Sequence, residues 1–160
     1  MSVREVIVLG GGNVGNTSAR LAKAAELMEE RIGRVVGSSS QRESEAWGFE
    51  AAEPFLNQAF AFETTLPAEQ VLETLLDIER ELGRNRESEY QQKILRGEVY
   101  ASRVIDLDIL LYGEERIVTP HLQIPHPRLL QREFALAPLE ELKGWSREEC
   151  QRRVLEIVTK

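Results

Sequence analysis

The sequence predicts an α+β fold, a ferredoxin-like α/β sandwich in which helices pack on a mainly antiparallel sheet. Two observations carry this prediction: a strand–helix–strand pattern occurs twice, and two long irregular connections interrupt it. The length of 160 residues fits one domain that spans residues 1–160. Long loops in so small a unit are usually functional, so we interpret both as active-site loops.

The first strand–helix–strand unit begins with an apolar, β-branched run at residues 3–9, which predicts a buried strand ended by glycines. Apolar residues then recur at spacings of three and four, which predicts a helix that buries Leu21, Ala25, Met28 and Ile32. Asn16 or Thr17 is the expected N-cap of this helix. Residues 34–37 predict a short second strand.

The second unit has the same order. Residues 55–64 predict a strand, and a second amphipathic helix follows Pro67 with Val71, Leu75, Ile78 and Leu82 on its buried face. Residues 104–112 are the clearest strand, because apolar residues alternate with two aspartates. The long loops are the polar stretch 37–54 and the charged stretch 83–103.

The last third of the chain predicts a hairpin followed by two helices. Residues 117–118 are expected to return as a short strand after a turn. A proline-rich stretch leads into a helix that runs through Ala137. The final helix starts at Ser146, because Glu149 three residues later completes a capping box.

Composition excludes several classes of protein. There are 27 acidic against 20 basic residues, and a net charge of -7 disfavours a general nucleic-acid binder. Cys150 is the single cysteine, so it forms no internal disulfide, and we expect it in the core. No apolar run approaches the roughly 20 residues that span a bilayer. We therefore expect a soluble cytoplasmic protein without nucleic-acid or membrane partners; the sequence leaves the oligomeric state open, with a monomer as the working expectation.

A glycine motif near the start suggests an alternative function. Gly10, Gly12 and Gly15 fit the G-x-G-x-x-G pattern of a dinucleotide-binding fold, between a strand and a helix. That fold also needs an acidic residue at the end of the second strand to bind the ribose, and here no carboxylate follows until Glu43. We keep dinucleotide binding as the alternative hypothesis.

Two aspartates on one predicted strand indicate a metal site. Asp106 and Asp108 are two residues apart, so both side chains leave the same face of the sheet, with Cα atoms roughly 6.5–7 Å apart. Carboxylate oxygens without nearby cysteine favour Mg²⁺. Water and phosphate oxygens complete the coordination shell of this ion. The structural alternative is a pair of solvated aspartates on an exposed face.

Basic residues flank this strand on both sides. The basic residues before it are Arg84, Arg86, Lys93, Arg96 and Arg103. A stretch without carboxylates follows it and contains His121, His126, Arg128 and Arg132. In an acidic protein this local excess fits a polyphosphate that carries metal ions. Each arginine taken singly is equally compatible with a solvated surface charge. A nucleotide-binding domain without turnover is a third hypothesis.

Several motifs now carry a resemblance to a known family. They are G-G-N-V-G-N near the start, S-E-A-W-G-F followed by F-L-N, L-G-R-N-R, S-R-V-I-D-L-D-I-L-L-Y, I-P-H-P-R and R-E-F-A-L-A-P-L. In this order the chain resembles the 6-hydroxymethyl-7,8-dihydropterin pyrophosphokinases of folate biosynthesis. The resemblance implies Mg²⁺-dependent transfer of pyrophosphate from ATP to the hydroxymethyl group of the pterin, with release of AMP.

The resemblance also implies roles for particular residues. Two Mg²⁺ ions are expected at Asp106 and Asp108, which together with Arg86 and Arg103 form the expected catalytic set. The expected ATP contacts are Glu79, Arg86, Arg103, His126 and Arg132, although Glu79 is equally compatible with a solvated helix carboxylate. The expected pterin contacts are Ser44, Trp47, Gly48, Phe55, Asn57 and Phe134.

The residues themselves are compatible with the pterin assignment. Phe55 and Asn57 are two apart on a predicted strand and share a face, so one can stack on a flat ring while the other hydrogen-bonds to its polar edge. The chain departs from the family pattern at Gly12, where a serine is usual, and in residues 87–102, which are longer than in compact members. We assign no role within that loop.

Overall fold

One five-stranded sheet organises the fold. The computed structural model describes residues 2–45, 54–96 and 103–160, without the side chains of residues 92, 93 and 96. The strands are β1 (Arg4–Gly12), β2 (Arg34–Ser38), β3 (Arg42–Ser44), β4 (Phe55–Thr64) and β5 (Asp106–Tyr112). Their order is β2-β4-β1-β5, with β3 also paired to β4, and every pairing in this sheet is antiparallel.

Helices cover both faces of this sheet. The helices are α1 (Thr17–Arg31), α2 (Ala68–Glu81), α3 (Arg86–Arg96), α4 (Glu133–Lys143) and α5 (Arg147–Val158). Residues of α1 and α2 pack on Val6 and Val8 of β1, whereas residues of α4 and α5 pack with Ile7 and Leu9 on the other face. Because both faces are buried, the run in β1 is continuously apolar. Within the described residues, no helix has the length and apolarity needed to cross a bilayer.

The antiparallel sheet confirms the predicted α+β sandwich, and it removes the structural basis of the dinucleotide alternative. We expected Gly10, Gly11 and Gly12 to end the first strand. Instead, they lie inside the strand and pair with β4. The glycines therefore form no phosphate-binding loop before α1, and no parallel doubly wound sheet surrounds them. At Gly12 a Cβ atom would lie 2.6 Å from the carbonyl oxygen of Val104, so close approach of the backbones explains the glycine there.

The predicted helix caps are present in the structure. Asn16 caps α1 by accepting a hydrogen bond from the Ala19 amide at 3.0 Å. Ser146 caps α5 and accepts from the Glu149 amide at 3.1 Å. Cys150 is fully buried in the cluster under α4 and α5, as expected of a core residue.

Several predicted boundaries were wrong. Helix α3 lies in the stretch predicted as the second loop, because its few large apolar side chains are exposed and give no buried stripe. β3 lies in the first predicted loop, where a three-residue edge strand leaves no alternating pattern. Helix α4 continues past Ala137 to Lys143 with Pro138 inside it. The return strand β6 (Ile117–Val118) pairs with an unexpected β7 (Gln123–Ile124) in a separate small sheet.

Two glycines predict a measurable contrast in stability. A Cβ atom at Gly33 would lie 1.8 Å from the carbonyl oxygen of Glu63, whereas one at Gly144 would meet no heavy atom within 4 Å. Gly144 has a φ of 68°, a left-handed conformation that ends α4. We expect Gly33→Ala to lower the free energy of unfolding by about 3 kcal/mol or more through overpacking. Gly144→Ala should cost about 1–2 kcal/mol through backbone strain alone. Urea titration of both variants checks this, and equal losses would contradict the steric argument.

Candidate active site

Polar residues of neighbouring strands lie close together on one face of the sheet. Further along the same strands, α4 and α5 cover this face. Gly11 of β1 pairs with Asn57 of β4 on one side and with Asp106 of β5 on the other. Asp108 pairs with Leu9, which belongs to the apolar cluster under α4 and α5. Directly paired residues of antiparallel strands project to one face. Asn57, Asp106 and Asp108 therefore share a face, as the sequence predicts for the two aspartates.

A missing side chain separates the two halves of this polar row. A Cβ atom at Gly11 would lie 2.6 Å from Oδ1 of Asn57. Because adjacent strands are about 4.8 Å apart, Asn57 and Asp106 stand roughly 10 Å apart across Gly11. Glycine thus leaves room for the Asn57 amide, whose Oδ1 lies over Gly11, between β4 and the carboxylates on β5.

Asn57 is itself held by a neighbouring strand. Its side-chain nitrogen donates a hydrogen bond of 2.8 Å to the hydroxyl of Ser44 on β3, and Phe55 pairs with Ser44 in the same register. β3 follows Ser40, whose amide and hydroxyl both donate to the Glu141 carboxylate of α4, at 2.5 and 2.6 Å. The structure therefore brings Ser44, Phe55 and Asn57 together. Trp47 and Gly48 lie outside the described residues.

Glu79 closes the free edge of β5. Its side chain is about 2% exposed, and its Oε2 accepts a hydrogen bond of 2.7 Å from the backbone amide of Leu107. Its Oε1 accepts a hydrogen bond of 2.9 Å from Arg86, and Arg84 lies 3.1 Å away. Burial raises the pKa of Glu79, and Arg84 opposes that shift. The alternative of a solvated helix carboxylate is wrong, because this group is buried and positions two arginines.

Arg84 is the centre of a buried network of charges. Its side chain is 3% exposed, and its Nη1 donates to Oδ1 of Asp106 at 2.8 Å. Nε and Nη2 donate to the Glu89 carboxylate of α3, at 3.0 and 3.2 Å. Burial would lower the pKa of Arg84, but Glu89, Asp106 and Glu79 together raise it above its usual value. Arg84 therefore stays charged and fixes Asp106.

Arg103 approaches the same carboxylate from the other side. Its Nη1 donates to Oδ2 of Asp106 at 3.0 Å. Its backbone is held by Asn13, whose Oδ1 accepts from the Arg103 amide at 2.8 Å and whose own amide donates to the Arg103 carbonyl at 2.9 Å. The motif that contains Asn13 thus positions Arg103. Asn13 was not predicted as a site residue. The signal in the sequence was a polar residue directly after a buried strand.

The two aspartates differ sharply in charge state. Burial raises the pKa of Asp108 to about 8, and the neighbouring carboxylates of Asp106 and Glu79 add to that shift. Burial also acts on Asp106, but Arg103 and Arg84 outweigh it and hold the pKa of this carboxyl below its usual value. Both side chains are half-buried, so they are not the freely solvated pair that the structural alternative requires.

This donor set fits a divalent cation. Asp106 and Asp108 present hard carboxylate oxygens on one face, and burial together with the neighbouring carboxylates raises the pKa of Asp108, so a positive charge beside it is favourable. Among the described residues, no cluster of three or more acidic, histidine or cysteine side chains is placed to hold a metal. Mg²⁺ favours this coordination: two carboxylates bind the ion, and water and substrate oxygens complete its shell.

His126 and Arg132, two of the expected ATP contacts, lie on the segment after β7. The His126 backbone amide donates to the Leu110 carbonyl of β5 at 3.1 Å, which places this residue beside the aspartates. Burial lowers the pKa of His126, and Arg132 and Arg128 act in the same direction. Its Nδ1 accepts from the Arg128 amide at 3.2 Å, so the neutral ring carries its proton on Nε2 and can donate there. The guanidinium of Arg132 lies 5.3 Å from the centre of the Phe134 ring.

The chain shares its sequence pattern with proteins of one family. Residues 6–144 match the family model for 7,8-dihydro-6-hydroxymethylpterin-pyrophosphokinase (HPPK). The 2-amino-4-hydroxy-6-hydroxymethyldihydropteridine pyrophosphokinase of Porphyromonas gingivalis is 38% identical over 136 residues, which cover 84% of this chain and 88% of that protein. The enzyme of the same name from Bacillus subtilis is 38% identical over 133 residues, or 82% of this chain and 74% of that protein.

The fold has a solved counterpart at low sequence identity. A variant of Plasmodium falciparum HPPK-DHPS, solved with SDX-DHP, matches with a TM-score of 0.62 at 11% identity. The match covers 99% of this chain and 46% of that chain, so this chain spans less than half of the solved protein. At this identity the likeness concerns the fold alone, and it confirms the predicted ferredoxin-like α/β sandwich.

Proposed function

Because this chain belongs to the 7,8-dihydro-6-hydroxymethylpterin-pyrophosphokinase family, we propose that it transfers pyrophosphate from ATP to the hydroxymethyl group of 6-hydroxymethyl-7,8-dihydropterin. Family membership makes the chain an ATP-dependent pyrophosphokinase of folate biosynthesis. The Mg²⁺ requirement, the release of AMP and the residue roles are proposals. The observation that supports them is a pair of carboxylates on one face of β5, one of which, Asp106, is bound by two arginines.

The nucleotide is proposed to bind over Asp106 and Asp108 with its phosphates toward the arginines. Asp106 and Asp108 would hold the two Mg²⁺ ions, whose positive charge would offset that of the carboxylates and of the phosphates. Arg103 would grip phosphate oxygens with its guanidinium fork, and the Nε2 proton of His126 would donate to another oxygen. Arg132, whose charge acts on the His126 ring, would supply further positive charge for the phosphates.

Glu79 and Arg86 form a supporting pair in this proposal. The Arg86 side chain is 59% exposed, yet it is anchored at its tip by the buried carboxylate of Glu79. An anchored guanidinium loses less rotamer freedom when it binds a phosphate. Both oxygens of Glu79 already accept hydrogen bonds inside the protein, so we infer that Glu79 acts on the nucleotide through Arg86.

The pterin is proposed to bind on the other side of Gly11. Phe55 would stack on the ring, with Phe134 as its second aromatic contact, and Asn57 would hydrogen-bond to the polar edge. Ser44 holds the Asn57 amide in the orientation that leaves Oδ1 free to accept from the ligand. No side chain of Gly11 separates the Asn57 amide from Asp106, so the hydroxymethyl group would extend past Asn57 toward the phosphates over Asp106.

In the proposed reaction the hydroxymethyl oxygen of the pterin attacks the β-phosphorus of ATP. A bond forms between that oxygen and the β-phosphorus, the bond from the β-phosphorus to the oxygen bridging to the α-phosphorus breaks, and AMP leaves with the bonding electrons. The hydroxyl proton passes to water. Bound Mg²⁺ supplies Lewis-acid polarisation of the phosphates and lowers the pKa of a coordinated hydroxyl. Arg86 and Arg103 offset the charge that develops on the leaving phosphate, and the site contributes alignment of the two substrates.

One assay tests the proposal directly. The purified chain is incubated with ATP, Mg²⁺ and 6-hydroxymethyl-7,8-dihydropterin, and the products are separated by anion-exchange chromatography. We expect equal amounts of AMP and the pterin pyrophosphate ester, and loss of both when EDTA is added. Formation of ADP, or AMP release that does not depend on the pterin, would show that a different reaction is catalysed.

The metal assignment predicts the effect of two isosteric substitutions. We expect Asp106→Asn and Asp108→Asn each to lower kcat at least roughly 10²-fold, the scale of losing key charge stabilisation. Asp108→Asn imitates the protonated side chain, so its melting temperature should match that of the parent chain. Asp77→Asn, at an exposed position of α2, is the matched control. Near-normal Mg²⁺-dependent AMP release in either site variant would contradict the assignment.

The stacking assignment predicts a selective loss of pterin affinity. We expect Phe55→Leu to raise the KM for the pterin about tenfold, because a lost aromatic stack is worth about 1–3 kcal/mol. The KM for ATP should stay within about twofold, since Phe55 lies on β4, on the other side of β1 from the aspartates. Steady-state kinetics with each substrate varied in turn makes the comparison. A parallel rise in both KM values would instead indicate a general disturbance of the site.

A further inference from the structure

Helix α3 brings a carboxylate to the site that none of the sequence motifs includes. The Glu89 side chain is 13% exposed, whereas Glu87, Ser88 and Tyr90 on the same helix are exposed. Its two oxygens accept from Nε and Nη2 of Arg84 at 3.0 and 3.2 Å, a side-on bidentate arrangement. Its Oε1 also lies 3.7 Å from Nε of Arg103. Glu89 therefore faces both arginines that bind Asp106.

The same two arginines occupy both oxygens of the proposed metal ligand. Nη1 of Arg84 binds Oδ1 of Asp106, and Nη1 of Arg103 binds Oδ2. A divalent cation that approaches Asp106 therefore competes with two guanidinium groups for the same oxygens. Arg103 is 26% exposed and can turn toward a phosphate, but Arg84 is 3% exposed and has no path to water. When the cation takes Asp106, Arg84 needs another anion to offset its charge.

Glu79 and Glu89 are the two further carboxylates around Arg84, and they are not equivalent. Glu79 already gives one oxygen to the Leu107 amide and the other to Arg86. Glu89 gives both oxygens to Arg84 and binds the two nitrogens that point away from Asp106. It can therefore hold the guanidinium in place while the interaction with Asp106 weakens, which is the advantage of a bidentate pair.

We propose that Glu89 is a positioning residue for metal binding: it offsets the charge of Arg84, so that Asp106 can exchange its guanidinium partners for a divalent cation. This inference rests on the proposed function, because it takes Asp106 as a metal ligand. Removing the charge of Glu89 leaves Arg84 more dependent on Asp106. The cation then competes less well, and the requirement for Mg²⁺ rises.

The test measures how nucleotide binding depends on Mg²⁺, without turnover. The ATP analogue with a methylene group between the α- and β-phosphorus atoms is titrated into the chain by calorimetry at a series of Mg²⁺ concentrations, since its bridge cannot be cleaved by the proposed reaction. In Glu89→Gln we expect the Mg²⁺ concentration for half-maximal binding to rise about five- to tenfold, a typical size for coupling between sites. Glu87→Gln, which makes the same change at an exposed position of α3, should leave it within about twofold of the parent value.

Other outcomes separate charge from a merely structural role. If Glu89 only fastens α3, then Glu89→Gln weakens binding of the analogue equally at every Mg²⁺ concentration, and the inference is wrong. Glu89→Asp keeps the charge and is expected to need less Mg²⁺ than Glu89→Gln; an equal shift in both variants would also overturn it.

The result is distinguishable from a failure of the proposed function. If the parent chain binds the analogue with Mg²⁺ but forms no AMP from ATP and the pterin, the proposed reaction fails while the role of Glu89 is still measured. If the parent chain turns over and Glu89→Gln needs no more Mg²⁺ than Glu87→Gln, the inference about Glu89 fails alone.

Discussion

Burial of two neighbouring carboxylates at the start of one strand is the constraint on which the rest of the site depends. Asp106 and Asp108 project from the same face of β5 in a half-buried setting, where their negative charges cannot both be left uncompensated. The two carboxyls differ in their partners. Asp106 binds two guanidinium groups, which hold its pKa below its usual value, whereas burial and the neighbouring carboxylates raise the pKa of Asp108 to about 8.

The position of β5 at the edge of the sheet determines how these partners reach it. An edge strand leaves backbone groups without a neighbouring strand, and here the buried carboxylate of Glu79 accepts from the Leu107 amide. The same carboxylate forms ion pairs with Arg84 and Arg86, which follow α2 in the chain, and so holds both arginines at this edge. Burial raises the pKa of Glu79 and so disfavours its charged form, whereas Arg84, Arg86 and the Leu107 amide favour that form.

The sequence predicts features that follow from local periodicity and misses those that arise only through tertiary contacts. Alternation along β5 places Asp106 and Asp108 on one face, and the capping box places the start of α5. The burial of Glu79 has no local signal, because its partner Leu107 lies 28 positions away along the chain. Helix α3 was not predicted because its contact with the site is made by a polar residue, Glu89. No apolar stripe therefore marks the side of the helix that faces the protein.

The charges of the network also support the proposal of a metal–nucleotide complex rather than a free anion. Beside Asp108 is a network that joins the carboxylates of Asp106, Glu79 and Glu89 to the guanidinium groups of Arg84, Arg86 and Arg103. The three negative and three positive charges of this network balance. A free triphosphate would bring several uncompensated negative charges beside these carboxylates, whereas cations alone would leave the arginines short of partners. In the proposed complex, a triphosphate bound with divalent cations would satisfy both groups, because Asp106 and Asp108 would hold the cations and the more exposed arginines, Arg86 and Arg103, would bind the phosphates.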